Sequence, residues 1–130
     1  MEKGKAMKSA QDYLAEANAI VPKIETQAGI AKHGQSGVVF VDVRDSAAIH
    51  ASGTIAGALR IPRGFIEFAA DQATQFHNPQ MDLDAEIILV CGAGGQAALA
   101  GRTLVEMGFK NVSNVGGFGA WKDEGGPVEG

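Results

Sequence analysis

The sequence predicts an α/β domain in which a mainly parallel central sheet of about five short strands is flanked by helices. Two stretches, residues 38–41 and 87–90, consist of large apolar side chains at every position. Strands of this composition are buried on both faces, which is typical of a parallel sheet covered by helices. Segments with helical spacing alternate with the strands. The chain has 130 residues, 45% of them apolar and 20% charged, which is enough for one folded core.

Two helices are predicted in the N-terminal part of the chain. The apolar side chains that recur at helical spacing in residues 6–18 are Ala10, Tyr13, Leu14 and Ala17. Pro22 ends this helix and starts a short extended piece, because proline disfavours helical backbone in the residue before it. A second, shorter helix is predicted over residues 24–32. We therefore expect residues 1–19 to form a helical extension that packs on a domain of residues 20–130.

The first apolar strand, residues 38–41, runs directly into charged residues. Asp42 and Arg44 follow it, and the carboxyl edge of an open α/β sheet is where such sheets place their sites. The two side chains can equally form a structural ion pair or a capping set, and we favour this structural interpretation. Residues 46–50 then predict at most a short helical turn.

The segment between the two apolar strands carries weaker patterns. Residues 52–58 predict a loop that leads into a short strand at 58–61, which Pro62 stops. A helical stretch follows, and its predicted inner face consists of Ile66, Phe68 and Ala69. Residues 71–84 are polar and predict a long connecting loop. His77 in this loop either lines a binding pocket or is an ordinary loop residue.

The second apolar strand leads into the only cysteine of the chain, Cys91. We call residues 91–96 the cysteine loop, because a glycine-rich stretch follows Cys91 before the next helix begins. The residues along one face of that helix are Ala97, Ala100, Gly101, Leu104, Met107 and Gly108, of which Gly108 ends it. A last strand is predicted over residues 110–115. Residues 116–121 then predict a glycine turn into a short helix.

Cys91 stands where a reactive cysteine can be activated. Gly92, Gly94 and Gly95 permit unusual backbone angles, so successive amide N–H groups can converge on one point at the positive end of a helix dipole. A sulfur at that point is stabilised as thiolate, which is the nucleophilic form. The alternative is a small buried hydrophobic residue, the commoner role of a lone cysteine after an apolar strand. Three glycines in the next four residues favour the reactive interpretation.

Several classes of site and partner are excluded. The cysteine loop lacks the Gly-x-Gly-x-x-Gly spacing of a dinucleotide site and the Gly-Lys-Ser/Thr of a Walker loop. The net charge of −4 indicates no basic surface for nucleic acid or an anionic membrane, and no apolar run is long enough to span a bilayer. A single cysteine excludes an intramolecular disulfide and a cysteine-rich zinc site. With no visible signal peptide, we expect a cytoplasmic protein that needs no metal or other cofactor.

Four short motifs follow one another along the chain. They are Val-Asp-Val-Arg-Asp at residues 41–45, Gly-Thr-Ile-Ala-Gly-Ala at 53–58, the cysteine loop, and Gly-Gly-Phe-Gly-Ala-Trp at 116–121. Their order and distances resemble those of the rhodanese-like family of single-domain sulfurtransferases. The family's corresponding segments are an Asp-Val-Arg motif, a Gly-His-Ile-Pro-Gly-Ala segment, a six-residue active-site loop and a closing Gly-Gly-x-x-x-Trp. The resemblance covers residues 20–129, and Thr54 and Ala56 depart from it.

The resemblance implies a rhodanese-like fold and a sulfurtransferase activity. It implies that Cys91 attacks the outer sulfur of a donor, carries it as a persulfide and delivers it to a thiophilic acceptor. The residues whose backbone amides would cradle the sulfur without a metal are Gly92, Ala93, Gly94, Gly95 and Gln96. The implied partners are a small-molecule or protein persulfide donor and a thiol acceptor.

One residue of the cysteine loop departs from the family pattern. The family loop commonly ends in an arginine that binds an anionic donor such as thiosulfate, and Gln96 stands in its place. Because glutamine carries no charge, the expected donor is not thiosulfate. Arg60 and Arg63 belong to the segment that leads from the short strand at 58–61. They either replace part of the missing charge or are solvated surface residues. Of the two, we assign Arg63 to substrate binding.

The sequence leaves two other functions open. A non-catalytic rhodanese-like binding or regulatory module would keep the glycine loop only as a scaffold. Phosphatase or arsenate-reductase chemistry on a related loop would need an arginine six residues after the cysteine, where this chain has Ala97.

Overall fold

A parallel sheet of four strands forms the centre of the protein, whose computed structural model describes residues 7–130. The strands in chain order are β1 (Val38–Asp42), β2 (Thr54–Ile55), β3 (Leu59–Arg60), β4 (Glu86–Cys91), β5 (Asn111–Gly117) and β6 (Val128–Glu129). The central sheet has the order β3-β1-β4-β5, and all of its strand pairs are parallel. The strands β2 and β6 pair with each other in a separate antiparallel ribbon.

Helices flank the sheet on both faces. In chain order they are α1 (Ala10–Ile20), α2 (Thr26–Lys32), α3 (Ser46–Ser52), α4 (Ile66–Ala70), α5 (Gly95–Glu106) and α6 (Phe118–Asp123). A 3-10 turn, Arg63–Phe65, precedes α4. None of the helices within residues 7–130 is long and apolar enough to cross a membrane.

The predicted α/β architecture is confirmed, with four strands in the central sheet rather than about five. The extended piece that follows α1 contributes only a single bridge, between Lys23 and Asn114. Its length is limited by Pro22, which has no backbone N–H to donate to a longer ladder.

Both faces of the sheet are buried, which explains the unbroken apolar runs in β1 and β4. Successive side chains of a strand point to opposite faces. On one face, Ile87, Leu89 and Cys91 join a core cluster with residues of α4 and α5. On the other face, Ile88 and Val90 pack with residues of α6. Cys91 therefore lies on the α5 side of the sheet.

The N-terminal helix α1 begins at a capping box and lies against α5. The side chain of Ser9 accepts the N–H of Asp12, and the side chain of Asp12 accepts the N–H of Ser9. Glu16 forms an ion pair with Arg102 of α5. Ala6, where the sequence placed the start of this helix, lies outside the described residues. The division of the chain at residue 19 stays a prediction.

Three local predictions are wrong. Ser46–Ser52 forms a helix of seven residues rather than a single turn. The predicted loop at 52–58 contains the short strand β2. The sequence does not reveal this strand, because its partner β6 is far away in the chain and no local pattern marks the pairing. Phe68 is 49% exposed rather than part of an inner face. The short helix α4 instead turns three other side chains inward: Ile66, Ala69 and Ala70.

Candidate active site

Cys91 is the last residue of β4 and is 1% exposed. The chain turns immediately after it, and α5 begins at Gly95. The Sγ atom of Cys91 accepts hydrogen bonds from the backbone N–H groups of Gly94, at 3.0 Å, and Ala97, at 3.3 Å. Both donors lie at the positive end of a helix of 12 residues. The sulfur therefore occupies an arrangement that accommodates negative charge.

The sulfur of Cys91 also takes the place of the side chain that usually caps the start of a helix. Gly94 is the N-cap residue and has no side chain that could accept an N–H group from the first turn. The N–H of Ala97, the third residue of the helix, has no intrahelical partner, as at any helix start. Cys91 Sγ accepts this N–H as a serine or aspartate oxygen does at an ordinary cap. The hydrogen bond between Ala97 and Sγ thus stabilises both the start of α5 and the position of the sulfur.

The sequence predicted amides of residues 92–96 around the sulfur. Of these, Gly94 donates to Sγ, while the second donor, Ala97, lies one residue beyond the predicted stretch. The other loop residues include three that are exposed, Gly92, Ala93 and Gln96. Sequence reasoning missed Ala97 because the exact start of a helix is hard to read from sequence. Recognising Gly94 as an N-cap would have pointed to the third residue of the helix.

The unusual backbone of the cysteine loop is concentrated at Gly94. Its φ is +99°, in the left-handed region that favours glycine. Gly95 has helical backbone, and a Cβ added to it would lie 3.6 Å from Leu14 Cδ2, an ordinary contact. The expected unusual backbone angle is therefore confirmed at Gly94, whereas Gly92 and Gly95 have no positive φ.

Gly117, at the end of β5, lies close against the backbone of the cysteine loop. Gly117 lies opposite Cys91 in the sheet. A Cβ at Gly117 would lie 2.4 Å from the carbonyl oxygen of Gly92, much closer than real Cβ contacts. Glycine at this position therefore lets the two backbones approach each other.

Asn114 of β5 contacts the loop through its side chain and was missed by sequence reasoning. Its Nδ2 donates to the Gly94 carbonyl oxygen at 2.9 Å, and its Oδ1 accepts the N–H of Gly116 at 2.8 Å. The residue is only 2% exposed. A polar amide between Val112 and Val115, in a strand predicted to be buried, is the pattern that could have revealed it.

Within residues 7–130, the hydrogen bonds to Cys91 Sγ come from Gly94 and Ala97 and not from Gln96 or the two candidate arginines. Gln96 is exposed on the first turn of α5. Arg63 forms an ion pair with Glu67 at 3.3 Å and donates to Thr103 Oγ1 of α5. Arg60 lies at the ribbon of β2 and β6, where it donates to Glu129 and to the Gly130 carbonyl. His77 bonds to the Met81 carbonyl oxygen within its own loop.

Two cavities flank the cysteine loop. The first, of about 390 Å³, is bounded by residues 93–95, the end of β5 and residues 23–26. The second, of about 640 Å³, lies between α1, α5 and Arg63. Leu14 of α1 and Gly95 line both cavities. The N-terminal helix therefore contributes to the lining of both cavities.

The cations around the second cavity are already paired. Lys8 and Arg102 line it, and both hydrogen-bond to Glu16. These bonds, first that from Lys8 and then that from Arg102, hold the pKa of Glu16 below its usual range. Arg63 lines the same cavity and is paired with Glu67. Because Arg102 also forms an ion pair with Glu106, three carboxylates balance the three cations of the second cavity.

Asp42 and Arg44 form a buried ion pair at the end of β1. The guanidinium contacts the carboxylate at 2.8 Å and also donates to the Gly53 carbonyl oxygen. Thr54 Oγ1 donates to the same carboxylate at 2.7 Å, and the guanidinium lies over the Phe118 ring. These contacts join β1, the end of α3 and α6. Among residues 7–130, no three or more His, Cys, Asp and Glu side chains are grouped to hold a metal ion.

Known proteins resemble this chain in sequence over the part that contains the four motifs. The family model of the rhodanese-like domain matches residues 26–124. Thiosulfate sulfurtransferase GlpE of Pseudomonas entomophila is 36% identical over 87 residues, which are 66% of this chain and 72% of that protein.

Two solved structures extend the comparison. A Rhodopseudomonas palustris protein of unknown function, described as a possible tyrosine phosphatase, has a TM-score of 0.89 and 37% identity over 99% of both chains. The polysulfide-sulfur transferase homodimer of Wolinella succinogenes has a TM-score of 0.71 and 26% identity, over 89% of this chain and 83% of that one. The stretch that matches the family model contains all four motifs and both N–H donors to the sulfur. The chain belongs to the rhodanese-like domain family.

Proposed function

We propose that the protein is a sulfurtransferase that carries sulfane sulfur as a persulfide on Cys91. The observation that carries this proposal is the pair of backbone N–H groups, from Gly94 and Ala97, that point at Sγ. Two N–H groups directed at one sulfur favour the thiolate, which is the nucleophilic form, over the neutral thiol. Relatives named as thiosulfate sulfurtransferase and polysulfide-sulfur transferase support sulfur transfer as the class of reaction.

The proposed reaction consists of two displacements at sulfur. In the first, the Cys91 thiolate attacks the outer sulfur of the donor, and the donor's own bond to that sulfur breaks with its electron pair on the rest of the donor. In the second, an acceptor thiolate attacks the outer sulfur of the Cys91 persulfide, and Cys91 leaves as thiolate. Each step breaks one bond to sulfur for each one formed. The chemistry therefore balances without a metal or an electron carrier.

The two amides act at both ends of this cycle. They stabilise the Cys91 thiolate before it attacks and again when it leaves. Because the N–H groups belong to a helix start and a tight loop, they are already oriented and need not reorganise during the reaction. No general base is required if the thiolate is formed beforehand.

The donor in this proposal is an uncharged or protein-bound persulfide rather than thiosulfate. Gln96 carries no charge at the place where the family commonly has arginine. Arg63 is paired with Glu67. Lys23 and Glu25 both line the first cavity and have opposite charges. A small dianion would therefore find little net positive charge around the loop.

The acceptor in this proposal is a thiol, and the compartment is the cytoplasm. The reaction needs Cys91 in its reduced form at the end of each cycle, which a reducing compartment maintains. Thiols are also abundant acceptors there.

Intact-mass measurement tests the persulfide directly. After incubation with inorganic polysulfide or a thiol persulfide, we expect the protein to gain the mass of one sulfur atom, and thiosulfate to give much less. A thiol acceptor should then remove that mass and appear as its own persulfide. The Cys91→Ser variant, which keeps an atom that can accept the two N–H groups, should gain nothing.

Failure of this experiment would favour the binding or regulatory module. If wild-type protein gains no sulfur from any donor while Cys91 still reacts with an alkylating reagent, the loop is a scaffold and the sulfurtransferase proposal is wrong. Phosphatase chemistry has no support from the loop itself, because residues 92–97 contain no arginine to hold a phosphate.

The Gln96→Arg substitution is expected to raise the rate with thiosulfate about tenfold to a hundredfold. A charge-assisted bidentate contact is worth about 1.5–3 kcal/mol, and Gln96 already lies on the first turn of α5, exposed beside the loop. Steady-state kinetics with thiosulfate and with an uncharged polysulfide measure the effect. The gain should be confined to thiosulfate and absent in Gln96→Met, and an equal gain with both donors would contradict the proposed role of the charge.

A further inference from the structure

Asn114 is a buried amide whose polar atoms both bond to the segments that surround the sulfur. It is 2% exposed, and an amide at such a position is costly unless its groups are paired. Nδ2 donates to the Gly94 carbonyl oxygen and Oδ1 accepts the N–H of Gly116. Because a carbonyl can only accept and an N–H can only donate, these partners fix which end of the amide is which.

The side chain is aimed at the loop by an irregularity in the sheet. In the pairing of β4 with β5, Leu89 lies opposite Asn114 but Val90 lies opposite Gly116, so Val115 is an extra residue. Such bulges redirect side chains. The bond from Gly116 N–H to Asn114 Oδ1 spans two residues and holds the amide group in that direction.

The backbone that carries Asn114 is held on the opposite side as well. Its N–H donates to the Pro22 carbonyl oxygen at 2.9 Å, and its carbonyl accepts the N–H of Ile24 at 3.0 Å. Asn114 therefore extends from a strand position that is fixed by β4 on one side and by residues 22–24 on the other. A side chain anchored in this way can hold a neighbouring loop in place.

The contact with Gly94 constrains the N–H group that reaches the sulfur. The N–H of Gly94 donates to Cys91 Sγ, while its carbonyl accepts from both Asn114 Nδ2 and the Ala98 N–H. Since both peptide planes of Gly94 are thus bonded, its φ of +99° is fixed by its partners. Without the bond from Asn114, the carbonyl would keep only the bond from the Ala98 N–H. The peptide unit of Gly94 could then tilt about that single bond, which would turn its N–H away from the sulfur.

We propose that Asn114 is a positioning residue, which holds the Gly94 carbonyl and thereby keeps the Gly94 N–H directed at Cys91 Sγ. It acts through Gly94 and does not touch the sulfur. Its biological purpose rests on the proposed function, because the sulfur it prepares is the one that would carry the persulfide.

The test is the pH dependence of the reaction of Cys91 with iodoacetamide in intact protein. In Asn114→Ala, the pH at which the alkylation rate is half of its plateau should rise by about one unit, as expected for the loss of one hydrogen bond to the charged form. Asn114→Asp keeps an acceptor for Gly116 but places a carboxylate oxygen beside the Gly94 carbonyl. It should give a larger rise than Asn114→Ala, because it loses the bond to Gly94 and also adds a negative charge beside the thiolate.

Ser113→Ala is the matched control on the same strand. Ser113 is 6% exposed, and its hydroxyl has no hydrogen-bond partner within residues 7–130. This variant should leave the alkylation profile of wild type unchanged. The charged groups beside the loop, Lys23 and Glu25 at the first cavity and Arg63 at the second, are the same in wild type, Asn114→Ala and Ser113→Ala.

The proposal is overturned if the Asn114 variants melt at lower temperature yet keep the wild-type alkylation profile, since Asn114 would then be merely structural. If Asn114→Ala does not fold, Asn114→Ser decides by the same criterion. Alkylation needs no sulfur donor. A wild-type protein that accepts no sulfur would therefore overturn the proposed function without affecting the result for Asn114.

Discussion

Replacing Gly94 by valine is expected to slow persulfide formation on Cys91 roughly a hundredfold or more while the protein stays folded. The reason is the backbone rather than lack of space. A Cβ on Gly94 would lie 3.6 Å or more from its nearest neighbours, but a β-branched residue is strongly disfavoured at a φ of +99°. The backbone should relax away from this angle and take the N–H off Cys91 Sγ. Loss of one such oriented donor costs about 10²–10³ in rate in enzymes that stabilise a developing anion.

Gly95→Ala is the matched control for this experiment. Gly95 has helical backbone, and its added methyl group would make an ordinary contact with Leu14. Alanine also favours the helix over glycine. We expect this variant to form persulfide at the rate of wild type, as measured by intact mass over time. Equal rates in Gly94→Val and wild type would show that the Gly94 amide is not the source of activation.

Gly117→Ala is expected to lower the free energy of unfolding by about 3 kcal/mol, which is at the upper end for an overpacked site. The added Cβ would lie 2.4 Å from the Gly92 carbonyl oxygen. A backbone atom cannot move aside as the end of a flexible side chain can, so the pairing of β4 with β5 must shift. For a chain of this size the melting temperature should fall by roughly 10 °C.

The control for this variant lies two residues further on. Gly119 is in α6, and a Cβ added there would meet nothing within 4 Å. Gly119→Ala should therefore keep or slightly raise the melting temperature, because alanine favours helix. Thermal unfolding followed by circular dichroism measures both variants. A Gly117→Ala protein as stable as wild type would mean that the loop and β5 can separate freely.

The elements that the sequence predicted well are those determined by local pattern. β1 and β4 are apolar at nearly every position, and both faces of the sheet are indeed buried. The start of α6 after Gly117 and the end of α5 before Gly108, which has φ +102°, follow from glycines at turns. Such features depend on a few neighbouring residues and are visible in a single sequence.

The elements that were missed depend on partners far away in the chain. β2 exists because Thr54 and Ile55 pair with Glu129 and Val128, and two residues carry too little pattern to predict a strand. Phe68 was expected inside because it has the right chemistry, but the short α4 gives its inner face to Ile66 and its alanines. Tertiary context decides such positions.

The same division applies to the site. The place of Cys91 at the end of β4 and the tight turn at Gly94 were predictable, since an apolar strand followed by glycines indicates both. Ala97 and Asn114 were not, because each contributes through geometry: one by its place as third residue of a helix, the other through a bulge in β5. Alanine carries no chemistry that would single it out, and the asparagine is marked only by being a polar residue in a strand predicted to be buried.

The ribbon of β2 and β6 has a consequence for synthesis on the ribosome, which proceeds from the N-terminus. A nascent chain that has emerged as far as Trp121 contains every strand of the central sheet and both amides that point at the sulfur. It still lacks the partner strand of β2 and the Pro127 carbonyl that accepts the Trp121 indole N–H. The surroundings of Cys91 can therefore assemble before the ribbon of β2 and β6 does. The backbone groups of Thr54 and Ile55 have no strand partner until residue 129 has been made. During this interval they can pair with a strand of a neighbouring chain.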